Sequence, residues 1–109
     1  MAPRSHKQNG TEAETAVQRE LVETWLTVRR LPPAGANDVG DLDGVPLTAV
    51  QVKRCKAMAL ASWVDEVEKQ AANAGKPLFV VIHKRPRKGS PADWYVTMPL
   101  KVWVKGWKP

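Results

Sequence analysis

The 109-residue sequence holds one cysteine, Cys55. A single thiol excludes an internal disulfide, so a reducing compartment, the cytoplasm, is the expected location. Neither of the two histidines, His6 and His83, stands at a spacing from Cys55 that a cysteine nucleophile uses, and Cys55 is read as a small strand-end residue. No apolar run approaches the ~20 residues of a membrane span. The opening "MAPRSHKQNG" has no apolar stretch of the secretory kind, so no leader and no membrane partner are expected. Phenylalanine and tyrosine occur once each, which leaves five tryptophans to supply the aromatic mass. Acid is nearly absent from the last quarter, where Asp93 stands against seven Lys and Arg between 84 and 109. Residues 1–83 carry ten basic and ten acidic residues, so the net charge of +6 lies in one segment. That asymmetry excludes an evenly neutralised surface and suits a polyanion.

With 43% hydrophobic residues, the chain is long enough for one modest core. Residues 1–10 read as a flexible polar tail and 11–109 as a single domain. Thr11 and Glu14 make a capping-box pattern, and Ala13, Val17, Leu21 and Trp25 recur at helical spacing. "LTVRRL" is short and β-branched, "PPAGAND" breaks the chain, and a brief strand is expected around Leu42. "LTAVQVKRC" reads as a strand. In "MALASWVDEVEKQAANAG" a second helix lines up Leu60, Trp63, Val64, Val67, Ala71 and Ala74, with Gly75 as its stop. "PLFVVIHK" suits a strand covered on both faces, "RPRKGSPAD" a basic loop, and "WYVTM" a last strand. The tail "PLKVWVKGWKP" fits no single state. The expected class is α/β, an α+β mixed sheet with helices packed on it.

Alternation along a strand puts Val50 and Val52 on one face and Ala49, Gln51 and Lys53 on the other. A strand carrying Asp41 can return beside Gln51 after ten residues, and Glu14 shares a helix side with Val17 and Leu21. Taken singly, each has a plain use. Asp41 and Asp43 suit turns beside glycine, Gln51 and Lys53 a solvated strand face, and Glu14 a capping box.

Taken in order, "GD" followed by a strand ending in "QVKR" resembles the PD-(D/E)XK nuclease superfamily. "GTEAE", residues 10–14, is similar to the first-helix motif of archaeal-type Holliday-junction resolvases. "QVKR" is similar to the Mrr-type restriction branch, where glutamine replaces the usual glutamate. "HKRPRKGSPADWYVTM" resembles the C-terminal half of small resolvase-like proteins of actinobacterial phages. The resemblance spans about residues 10–98. It implies a restriction-endonuclease-like αβββαβ core and an Mg2+- or Mn2+-dependent endonuclease. It implies Asp41, Gln51 and Lys53 as catalytic residues, and Glu14, Asp41, Gln51 and the Val52 carbonyl as metal ligands. Oxygen donors suit such hard cations, and a lysine beside them stabilises charge on the attacked phosphate.

The implied partners are DNA, branched or double-stranded, and a second copy in a homodimer; a phage-encoded chain would act in the host cytoplasm. Phosphate contacts are expected from Arg54, Lys56, Lys84, Arg85, Arg87 and Lys88. Trp63 and Trp25 are expected in the core and His83 in a structural role. Trp94, Trp103 and Trp107 interleave with lysines and suit base stacking or a subunit contact. Competing readings are a duplex or flap nuclease of restriction or repair type, a nucleic-acid-binding protein whose site has decayed at Gln51, and a phage assembly protein.

Overall fold

The near-continuous apolar run at Leu78–His83 forms a central strand, as a segment buried on both faces must. The computed structural model describes residues 6–107, so residues 1–5 of the expected 1–10 tail, with Lys108 and Pro109, lie outside the described residues, whereas residues 6–10 are not tail but the first turns of a helix. The elements are α1 (His6–Val22), β1 (Arg29–Arg30), β2 (Leu42–Asp43), β3 (Thr48–Lys53), α2 (Leu60–Ala74), β4 (Leu78–His83), β5 (Tyr95–Thr97) and α3 (Leu100–Trp107). The five strands form one mixed sheet in the order β1-β2-β3-β4-β5. β3 and β4 are parallel, with Lys53 opposite His83, and α2 is their crossover. The other pairings are antiparallel. The chain is therefore a compact α+β domain.

Alternation sorts the core into two layers. On one face Val50, Val52, Leu42 and Ile82 meet Ala13 and Val17 of α1. On the other, Ala49, Phe79 and Val81 meet Trp63, Val67 and Ala71 of α2, with Val102 of α3. Gly75 ends α2 in the left-handed conformation, and its N–H bonds back to Ala71 and Ala72.

Three expectations change. α1 starts at His6, so Thr11 lies inside the helix and cannot cap it. Its carbonyl instead accepts the Thr15 hydroxyl at 3.0 Å. Trp25 falls after the end of α1 and is half-buried, outside both core layers. The ambiguous tail is helix α3. β5 pairs only with Val81–His83, and α3 packs on β4, burying Val102. Lys101 pairs with Glu68 at 2.6 Å, whereas Trp103 and Trp107 are 52% and 75% exposed. A shallow groove lined by Thr48, Leu78, Trp103 and Trp107 places the end of α3 by the first residues of β3 and β4. The basic last quarter is thus two surfaces, with Lys84–Lys88 after the C-terminal end of β4 and α3 toward its start. Among the described residues no helix is long and apolar enough to cross a membrane.

Gly40 explains the "GD" pair. Its φ is +114°, and a Cβ there would lie 2.9 Å from the Val50 carbonyl oxygen. Only glycine lets the chain come so close to β3. Gly40→Ala is expected to destabilise the fold by ~2–4 kcal/mol, read as a lower denaturant midpoint with unchanged slope. An unchanged midpoint would contradict the close approach.

Candidate functional site: an acidic cleft with a basic rim

β2 pairs with β3 only at Leu42 and Val50. Just before Leu42, Asp41 closes the junction in two ways. Its backbone N–H donates to the Val50 carbonyl at 2.8 Å, and its Oδ2 accepts the Val52 N–H at 2.8 Å. The carboxylate thus takes the place of a ladder partner where the two strands part. The parting opens a cleft of about 510 Å³, lined among others by Glu14, Arg30, Asp38, Asp41, Val52 and Lys53.

Glu14 reaches the cleft from α1, where Ala13 and Val17 anchor its helix in the core. Its carboxylate accepts from Arg30 Nη2 at 3.3 Å. Burial pushes the Asp41 carboxyl up from 3.8 to about 7, and the adjacent Glu14 carboxylate adds to the rise by charge and by a shared hydrogen bond. The Val52 N–H and the Lys53 ammonium pull in the opposite direction. Lys53 is 25% exposed, and its Nζ lies 3.7 Å from Glu66 of α2. Four of the expected site residues, Glu14, Asp41, Val52 and Lys53, therefore line one cleft.

Gln51 does not. It is 2% exposed, on the α2 face of β3 beside Ala49, and absent from the cleft lining. Its burial also overturns the plain reading of a solvated strand face. Among the described residues nothing donates to its buried Oε1. Asp43 faces elsewhere: Lys76 bonds it at 2.6 Å and Arg29 lies at 3.6 Å. The Lys76 hydrogen bond holds the Asp43 carboxyl below its ordinary range.

Residues that the motifs did not single out complete the site. Asp38 accepts the Gly40 N–H at 2.9 Å and Gln70 Nε2 at 3.1 Å. Gln70 also reaches Glu66 at 3.5 Å, so a polar chain runs from Asp38 and Lys53 in the cleft to Gln70 and Glu66 of α2. Gln70 is 3% exposed, and among the described residues nothing donates to its Oε1. A glutamine among the apolar positions of α2 was the legible signal, because such a residue is seldom buried without a partner. Asp38 carried no signal, since its role depends on a loop conformation.

The donor set fits a hard cation. Glu14 and Asp41 set two crowded carboxylates in the cleft, and Val52 lines it beside them. Among the described residues no three carboxylates, imidazoles or thiols converge, so neutral oxygens would supply the remaining ligands.

The rim is basic. Arg54 and Cys55 belong both to the cleft and to a neighbouring notch between the ends of β3 and β4. Arg85 lies 5.9 Å over the Tyr95 ring. Trp94 donates Nε1–H to the Lys88 carbonyl at 2.8 Å and packs on the α1 layer, so it ties down the basic loop rather than standing free. His83 is buried between Trp63 and Tyr95, with Nε2 2.7 Å from the Thr97 hydroxyl. Burial lowers its pKa.

These shifts have opposite linkage. Asp41, raised from 3.8 to about 7, binds a proton in the folded chain before the unfolded one does. Its contribution makes the metal-free fold more stable as pH falls from about 7 toward 4. His83, lowered, withdraws stability below its ordinary value of 6.5. Denaturant titrations of metal-free protein across this range are expected to show the Asp41 gain, and Asp41→Asn to leave only the histidine loss. Identical profiles for the two proteins would contradict the crowded carboxyl pair.

No protein-family model matches this chain, and no curated protein or solved structure matches it either.

Proposed function

We propose that the chain is a metal-dependent DNA endonuclease of Holliday-junction-resolvase type, with a restriction-endonuclease-like core. The observation that carries the reading is the meeting of Glu14, Asp41 and Lys53 in one cleft beside a basic rim. The order of helix, three strands, helix and strand supports it. Asp41, Glu14 and the Val52 carbonyl would hold Mg2+ or Mn2+, and Gln51, buried under α2, stands outside this set. A bound divalent cation supplies a nucleophilic water at neutral pH and offsets phosphate charge.

The chain's own groups do the rest. Asp41 must be ionised to bind the cation, so binding competes with its proton below about pH 7. Lys53 lines the cleft with its ammonium 3.7 Å from Glu66, and there it stabilises charge as the phosphate becomes pentacoordinate. Arg30 neutralises Glu14 until a cation does so, and is then free to meet a phosphate oxygen. The basic loops hold the backbone without reading sequence. Two symmetric cuts in a four-way junction require two clefts, so the reading includes a homodimer.

Incubating labelled four-way junctions and matched duplexes with and without Mg2+ tests this. Junction cleavage only with Mg2+ is the expected result. Equal cleavage of duplex would favour the restriction or repair alternative. Binding without cleavage would favour the decayed site, a reading that the withdrawal of Gln51 from the cleft supports.

A further inference from the structure

We infer that the notch between the ends of β3 and β4 is an anion site that holds a second phosphate group beside the cleft. The parallel register brings Lys53 opposite His83, and the Lys84 N–H then donates to the Lys53 carbonyl at 3.1 Å. The two chain ends therefore leave the sheet side by side. Arg54 and Lys56 follow one strand and Lys84 the other, and together with Cys55 and Pro86 they enclose about 430 Å³. That is within the ~300–1,000 Å³ of small-ligand sites.

Among the described residues no acid lines the notch. Arg54 reaches Glu12 only at 4.0 Å, and among the described residues no ion pair involves Lys56 or Lys84. Three like charges held together by strand geometry repel one another, and an anion between them relieves that repulsion. An open end of parallel strands is also where α/β sheets bind ligands. Because cleft and notch share Arg54 and Cys55, a strand lying in one continues into the other. The inference of a continuous strand rests on the nuclease reading, whereas anion capture does not. The phosphate is either an internal phosphodiester or a terminal monoester, which carries about −1.5 to −2 at pH 7.

The test is a metal-free NMR titration of the full chain with inorganic phosphate, and with short single strands that carry or lack a 5′-phosphate. The expected result is saturable amide shifts confined to residues 54–56 and 84–86, with at least tenfold weaker binding in Lys56→Ala/Lys84→Ala. The variant should also reduce the salt slope of oligonucleotide binding, by roughly 0.9 for each lost contact. Tighter binding of the phosphorylated strand identifies a terminal phosphate, and equal binding an internal one. Shifts spread evenly over the surface, or a variant that binds unchanged, would overturn the site. A wild-type protein that binds phosphate here but never cleaves would refute the nuclease reading alone.

Discussion

Asp41→Asn is expected to abolish Mg2+-dependent cleavage and, in the same protein, to raise the stability of the metal-free fold. The two effects have one cause. A carboxylate sits where burial and Glu14 both oppose its charge, the Val52 N–H and Lys53 offset part of the cost, and a bound cation would offset more. Asparagine keeps an oxygen for the Val52 N–H and offers its amide N–H to Glu14, so the junction between β2 and β3 is retained. Moving a carboxyl from 3.8 to about 7 costs at most on the order of 4 kcal/mol at neutral pH, and part of that returns in the variant. Each kcal/mol is worth roughly 4–8 °C in a domain near this size. A scan at pH 7.5 in EDTA should show a midpoint several degrees higher, and addition of Mg2+ should stabilise the wild type more than the variant. Retained cleavage with an unchanged midpoint would remove Asp41 from the site. A site that weakens the fold for function is a familiar trade.

Lys53→Ala is expected to cost about 10²–10³ in cleavage rate, the size of losing one group that stabilises transition-state charge. The fold should survive, because Lys53 is partly exposed and its Glu66 pair is worth no more than ~1 kcal/mol. Mg2+ binding should change little, since an ammonium is not a ligand. Asp41 loses the one cation that pulls its pKa down, so the pH at which Mg2+ binding fails should rise slightly. Wild-type cleavage by the alanine variant would refute the assigned role. Glu66→Gln gives the milder contrast: the lysine remains but loses its ion-pair partner, so a smaller loss in rate is expected with DNA affinity intact.

Much of the fold was legible because its signals are local. The apolar face of α2 with Gly75 after it, the apolar run of β4 and the breakers at 32–38 each declare an element within one window of sequence. Alternation in "TAVQVK" correctly divided Val50 and Val52 from Ala49, Gln51 and Lys53. The start of α1 and the helix at 100–107 were not legible, because a polar segment with glycine and a tail alternating lysine with tryptophan suit several states. α3 is settled by Val102, which fills a place on β4 that no short window can reveal.

The candidate site divides in the same way. Residue types alone set out the candidate groups, carboxylates at 14 and 41, an amide at 51 and a lysine at 53, in an order that suits one helix and two adjacent strands. Tertiary structure alone decided which of them meet. Gly40 lets Asp41 reach across to β3, the strands part there, and Glu14 arrives from a helix whose direction is set by burying Ala13 and Val17. The same packing turns Gln51 under α2 and joins Lys53 to Glu66, 13 positions on, and Asp38 to Gln70, 32 positions on, in a polar chain beside the cleft. It also divides the basic quarter between the cleft end and α3. Residue type is written in the chain, but proximity across such separations is fixed only when burial of the apolar faces has chosen one arrangement of helices on the sheet.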